Sequence, residues 1–356
     1  MSRQRLSSLR AIMRRRGCGA FIVSRPAHIR ALSGFSGSHA LCIIRSRGAE
    51  FLTDGRYALQ SREEVRGFRR TVVSSSLIEA SAGRSLLGRI RRAAFEEEHL
   101  SHAQVRAFRR HFPGIRFVPT AGVLEGLLVR KTPPELASIR EAARIADAVF
   151  GRVVSRVVAG AREADIASEI SYLLRRHGAD GDAFEPIVAS GWRGALPHAR
   201  PTSRKIRSGD LVILDFGCRV DGYCSDLTRT LGVGRLPERA RKLHRAVLDA
   251  QTAAIEAARG GMAARELDMV ARKRLKHSGF AQYVVHSLGH GLGLEVHEIP
   301  RVSWMSDECL EAGSVITIEP GLYVPGFGGV RIEDDILLLE DGCEVLTRAP
   351  RDLTIT

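Results

Sequence analysis

Four carboxylates stand inside apolar, strand-like runs, where a charge is hard to accommodate. In Leu211-Val-Ile-Leu-Asp215-Phe-Gly-Cys-Arg-Val-Asp-Gly-Tyr-Cys-Ser-Asp226, the run 211–214 leads into a turn around Asp221-Gly222, so the segment reads as a hairpin. A four-residue loop 219–222 sets Asp215 opposite Asp226. A two-residue Asp-Gly loop moves the register by two and makes them diagonal neighbours. In both registers they share a face, because side chains repeat every two residues. Like charges side by side destabilise a hairpin unless a cation neutralises them, so the pair points to metal ligation. The pattern recurs in Val315-Ile-Thr-Ile-Glu319, which ends in Pro320-Gly321, and in Gly328-Gly-Val-Arg-Ile-Glu333, which returns through Pro325-Gly-Phe. A three-residue loop 325–327 places Glu319 opposite Glu333. An unpaired carboxylate inside an apolar strand is costly. Arg331, two residues away on the same face, is an alternative, structural partner.

Histidines extend the constellation. His286-Ser-Leu-Gly-His290-Gly-Leu-Gly-Leu-Glu-Val-His297 sets three imidazoles among glycines that permit close backbone approach. His198 is a fourth, on the Pro-flanked loop Ala195-Leu-Pro-His-Ala-Arg-Pro. Four carboxylates and one imidazole make a five-residue cage for two divalent cations. Such a donor set suits Mn²⁺, Co²⁺ or Fe²⁺ better than a structural zinc site. His244 and His277 have no such company and read as packed or exposed side chains.

At 356 residues the chain exceeds one comfortable core, and two domains are expected. A hydrophobic fraction of 44% excludes a disordered chain. No apolar run approaches the roughly 18 residues that span a bilayer, so no membrane partner is expected. Residues 1–125 read as an α/β domain: a helix carrying Leu6, Leu9, Ile12 and Met13, strands at 20–24, 40–44, 50–53 and 71–73, and a helix over 85–94. Lys131-Thr-Pro-Pro marks a boundary region. Residues 126–356 read as α+β, with helical patterns over 135–176, 237–258 and 263–277. Cys18, Cys42, Cys218, Cys224, Cys309 and Cys343 form no CxxC pair, which fits reduced thiols and a cytoplasmic setting. The charge is uneven: residues 1–130 hold 24 Arg and no Lys against 9 acidic residues, while the remainder holds 30 basic against 31 acidic. Such asymmetry hints at nucleic acid or acidic membranes. No RNA-binding aromatic motif, zinc finger or long basic run accompanies it, and a general preference for Arg over Lys is the simpler account.

Asp215-Phe-Gly through Tyr-Cys-Ser-Asp226-Leu-Thr-Arg-Thr, Gly289-His-Gly-Leu-Gly-Leu-Glu-Val-His-Glu, Ile318-Glu-Pro-Gly and Gly-Gly-Val-Arg-Ile-Glu333-Asp-Asp resemble the M24 metallopeptidase family of Xaa-Pro aminopeptidases, prolidases and methionine aminopeptidases. Leu196-Pro-His198 and the tail 319–346 point to its proline-specific branch. Ser33-Gly-Phe-Ser-Gly-Ser and Leu52-Thr-Asp-Gly-Arg-Tyr57 resemble that branch's amino-terminal domain. The resemblance implies a creatinase-like α/β domain over 1–125, a pita-bread α+β catalytic domain over 126–356, and a homodimer or larger oligomer. It implies two divalent ions per subunit, manganese first, with cobalt, zinc or iron as alternatives. Asp226 and Glu333 would bridge them, Asp215 would bind one alone, and His290 and Glu319 would complete the other.

The same resemblance implies attack by a hydroxide held between the ions, with Glu319 as proton acceptor. His297 and His198 would polarise the carbonyl before proline, His286 and Tyr323 would border the proline pocket, and Arg331 would orient Glu333. The expected activity is an Xaa-Pro aminopeptidase acting on short peptides with proline second. The alternative is an Xaa-Pro dipeptidase. A methionine aminopeptidase does not usually carry a domain like 1–125. A non-catalytic binding module on this fold, sometimes for nucleic acid, would have lost ligands, and all stand here. Creatinase, which uses the fold without metal, lacks the carboxylate set.

Overall fold

Leu6, Leu9 and Met13 recur at helical spacing and are buried along the helix Ser2–Arg15, which feeds the strand Ala20–Val23. The computed structural model describes residues 2–356, which divide into one unit ending at Leu128 and a second spanning Val129–Thr356. Residue 125 lies within the helix Val123–Leu128, which stays whole in the first unit.

The first unit is built on a six-stranded sheet in the order 69–73, 49–54, 40–45, 20–23, 92–96, 116–120. Its central strands Ala20–Val23 and Ala40–Arg45 are apolar at successive positions because both faces are covered. Phe21 and Val23 enter one core with Cys42, Ile44 and Phe51, while Ala20 and Ile22 enter the other with Ile43 and Leu52. The helix expected over 85–94 does not form. The helix is Leu77–Gly83, and Arg92–Glu96 is a strand laid parallel between Ala20–Val23 and Arg116–Thr120. Ser85 and Gly88, both at positive φ, break the backbone between them. Ladder pairing on two sides then outweighs the helical spacing of the leucines.

In the second unit the pattern expected over 135–176 is two helices, Pro133–Val153 and Glu163–Arg176. A 3₁₀ turn at Val154–Arg156 and Gly160 at φ 94° separate them. Helices Glu238–Ala257 and Ala264–His277 follow the expected patterns. The first helix pair packs on a three-stranded sheet through Val212, Leu214, Phe216 and Leu227. The second pair packs on a five-stranded sheet through Ile316, Ile318, Ile336 and Leu338. Strand alternation decides what the other face carries. Asp215, Asp226, Thr228, Thr317, Glu319, Glu333 and Asp335 fall between those core positions and so point away from the helices. Among the described residues, no helix is long and apolar enough to cross a membrane.

Candidate metal centre

The first hairpin closes through the two-residue loop. Asp221 and Gly222 stand at φ 47° and 73°, the pair of left-handed residues that an Asp-Gly hairpin turn requires. Val220 pairs with Tyr223, Leu227 with Phe216 and Thr228 with Asp215, so Asp215 and Asp226 are diagonal neighbours on one face. Gly217 permits this approach: a Cβ there would lie 1.8 Å from the carbonyl oxygen of Ser225.

The second pair of strands is interrupted at its carboxylates. Ile318 pairs with Asp334 in the five-stranded sheet, and Gly321 pairs with Arg331 in a separate two-stranded ladder closed by the 325–327 turn. Glu319 and Glu333 occupy the break between the ladders. There the Glu333 N–H turns to the Thr228 carbonyl at 3.0 Å, tying the two hairpins together.

His290 comes from the short strand Gly289–Gly291. Its Nδ1 lies 3.0 Å from the Gly291 carbonyl, an acceptor only, so Nδ1 carries the proton and Nε2 is left with a lone pair. That Nε2 is 3.5 Å from Glu319 Oε1 and 3.8 Å from Asp226 Oδ2. One ligand atom each from Asp226, His290 and Glu333 falls within 4.8 Å of the others.

These groups fit divalent cations on three counts. Asp215 Oδ1 and Asp226 Oδ1 are buried without a hydrogen-bond partner, a costly condition unless a cation takes them. Burial, then the neighbouring Glu333, pushes the carboxyls of Asp226 and Glu319 well above their usual range. Burial, then Asp215, pushes Glu333 up to about 8. Finally, burial and His297 push His290 down to about 4, so its ring is a neutral ligand at pH 7.

Arg331 meets Glu333 through an intermediary rather than directly. Its guanidinium pairs with Asp215, and its Nε donates to Thr228 Oγ1 at 3.2 Å. Thr228 in turn donates to Glu333 Oε2. Arg331 thus reaches Glu333 through the Thr228 hydroxyl, while Asp215 is its direct carboxylate partner. Arg331 also donates to Tyr323 Oη at 2.7 Å and to the Pro197 carbonyl at 3.3 Å. Tyr323 Oη donates to His286 Nε2 at 2.9 Å, and His286 Nδ1 donates to the Ser287 carbonyl. Burial, then Arg331, pushes His286 down to about 4, and burial pushes Tyr323 up to about 12.

His297 is exposed, with its ring 4.3 Å from that of His290. Burial of part of its ring, and then His198, lower it. His198 is exposed too and follows Pro197. Its loop lies against the second ladder, where a Cβ on Gly329 would meet the Gly194 carbonyl oxygen at 2.0 Å. Arg193 on this loop is bound to Glu163 at 3.1 Å, which anchors the loop.

Four supporting residues escaped the sequence reading: Thr228, Thr317, Asp335 and Arg229. Thr317 Oγ1 accepts from the His290 N–H at 3.2 Å, and Asp335 Oδ2 accepts from the Asp226 N–H at 2.9 Å. Arg229, 1% exposed, gathers the carbonyls of Thr228 and Glu333 and pairs with Asp334 at 2.7 Å. The period-two spacing of Thr228 from Asp226, and of Asp335 from Glu333, was the available signal.

A carboxylate-rich cage with one imidazole, set on the helix-free face of a sheet pair, defines a metalloenzyme. The sequence profile of metallopeptidase family M24 matches residues 137–340, and that of the creatinase/prolidase N-terminal domain matches residues 5–127. The chain is 43% identical over 257 residues to the Xaa-Pro dipeptidase of Pyrococcus furiosus, covering 72% of this chain and 74% of the relative. It superposes with TM-score 0.97 and 35% identity on an Xaa-Pro dipeptidase from Bacillus anthracis, covering 100% of both chains. An X-Pro aminopeptidase from Thermotoga maritima matches with TM-score 0.89 and 35% identity, covering 96% of this chain and 98% of that one. The chain belongs to metallopeptidase family M24 and is a peptidase with a creatinase-like amino-terminal domain and the pita-bread catalytic fold. Members of this family use a dinuclear divalent metal centre.

Proposed function

We propose that the protein is an Xaa-Pro dipeptidase, the alternative weighed in the sequence rather than the aminopeptidase favoured there. The observation that carries this reading is the end-to-end match, at TM-score 0.97, to an Xaa-Pro dipeptidase. The identity to the Pyrococcus dipeptidase supports it. The Thermotoga match keeps an Xaa-Pro aminopeptidase as the second reading.

Asp215, Asp226, His290, Glu319 and Glu333 are the residues that would hold two divalent cations. Manganese is proposed because oxygen-rich ligation with one imidazole suits it. Bound there, the cations supply Lewis acidity and an activated water near neutral pH. Glu319, 3.5 Å from His290 Nε2, takes up and passes on a proton. His297 and His198, presented from two loops, donate to the oxygen of the carbonyl before proline as charge develops on it. His286 and Tyr323, whose polar atoms satisfy one another, offer ring surface to the proline. Arg331 fixes Asp215 directly and Glu333 through Thr228. A cytoplasmic homo-oligomer, with its six cysteines as free thiols, completes the proposal.

The test is hydrolysis of Ala-Pro, Ala-Pro-Ala and Met-Ala-Ser side by side by the metal-loaded enzyme. Cleavage of Ala-Pro alone is expected. Efficient release of alanine from Ala-Pro-Ala would establish the aminopeptidase instead, and cleavage confined to Met-Ala-Ser would contradict both.

A further inference from the structure

The chain uses Arg almost everywhere, and its five lysines are Lys131, Lys205, Lys242, Lys273 and Lys276. Among the described residues Lys131 alone of these is buried, while the other four are exposed. It lies just inside the second unit, where its N–H donates to the Gly313 carbonyl at 2.8 Å. Its Nζ donates to the Val129 carbonyl at 3.2 Å and to Glu298 Oε2 at 2.9 Å, with side-chain exposures of 2% and 14% for the ion pair.

Glu298 is the core of a turn. Its Oε1 accepts from the Glu295 N–H at 3.2 Å, and the Gly293 N–H donates to the Glu295 carbonyl at 3.1 Å. A Cβ on Gly293 would stand 2.4 Å from the Glu298 carboxylate, so the turn closes around that group with no room to spare. The Gly293 carbonyl accepts from the Cys224 N–H at 2.7 Å, which ties the turn to the hairpin of Asp226. His297, the residue before Glu298, leaves this turn with its ring 4.3 Å from that of His290.

We propose that Lys131 is a positioning residue, whose ion pair with Glu298 holds the 293–298 turn so that His297 stands beside the metal centre. The inference rests on the reading of His297 as a donor to the substrate carbonyl. A compact ammonium with three donors serves a carboxylate and a carbonyl in a narrow space, which a wide planar guanidinium does not. That accounts for a lysine at this position in an arginine-dominated chain. Without its cation, the part-buried Glu298 carboxylate turns towards water and takes the turn with it.

The test compares Lys131→Arg, His297→Ala and the double variant as metal-loaded enzymes on Ala-Pro. Lys131→Arg is expected to lower kcat by roughly 10–10²-fold, the cost of a misplaced group, with metal content and KM unchanged. In the His297→Ala background the same substitution should cost less than about twofold, because the placement it disturbs no longer matters. Glu298→Gln, which keeps shape and removes charge, should follow Lys131→Arg and decides the matter if the arginine variant does not fold. Wild-type kcat in both Lys131→Arg and Glu298→Gln, or an undiminished cost of Lys131→Arg in the His297→Ala background, would overturn the proposal. Wild-type kcat in His297→Ala alone would overturn the reading of His297, a separate failure.

Discussion

A carboxyl pushed up to about 8, as Glu333 is, amounts to a standing demand for positive charge. Its sign fixes how the metal-free protein responds to pH. The folded pKa lies above the ordinary 4.5, so Glu333 contributes stability that is fully present below about 4.5 and is lost as pH rises to about 8. Asp226 and Glu319 act in the same direction. His290 and His286, lowered from 6.5 to about 4, act oppositely, but only below pH 6.5. The window from pH 6.5 to 8 therefore belongs to the carboxylates. The chelated protein should lose on the order of 2 kcal/mol across it, seen as a melting temperature lower by several degrees at pH 8. Glu333→Gln should flatten the dependence, and a melting temperature that rises with pH in the chelated protein would refute this account. The proposed ligands stood out because charged residues in apolar runs break a local rule. Thr228, Thr317 and Asp335 did not, because a group that satisfies another is recognisable only once the register of neighbouring strands is known.

The hairpins show how far an element can be read from its residues. Asp221-Gly222 determined the turn of the first, and with it the diagonal placement of Asp215 and Asp226. The second kept its expected register but split into two ladders at Glu319 and Glu333, which no local pattern announces. The failed helix over 85–94 has a similar cause: its apolar spacing suits either element, and partners distant in sequence decided. Glycine has a further role at the strand Gly289–Gly291, where a Cβ on Gly289 would stand 2.0 Å from the Thr317 carbonyl oxygen. Gly289→Ala should push this strand off its neighbour and carry His290 away from Glu319. We expect a stability loss of about 1–3 kcal/mol together with reduced metal content by elemental analysis. Wild-type melting temperature and metal content in this variant would show that the close approach is not needed.

On the scale of the whole molecule, the charge excess sits in residues 1–130, while the remainder, which holds every proposed ligand, is close to neutral. The two profile matches follow the same division. The family and the classes of its two parts were legible because each is carried by motifs of a few residues. The preference between dipeptides and longer peptides was not, since it depends on how far the substrate's path stays open beyond proline, a matter of long-range packing. The central claim is that five side chains hold two cations without which no peptide bond is cleaved. It is tested most directly by following Ala-Pro hydrolysis while a chelated, metal-free sample is titrated with Mn²⁺. Activity should be absent at the start and reach its plateau at two equivalents per chain, while Glu333→Ala stays inactive throughout. Full activity before any metal is added would contradict the account.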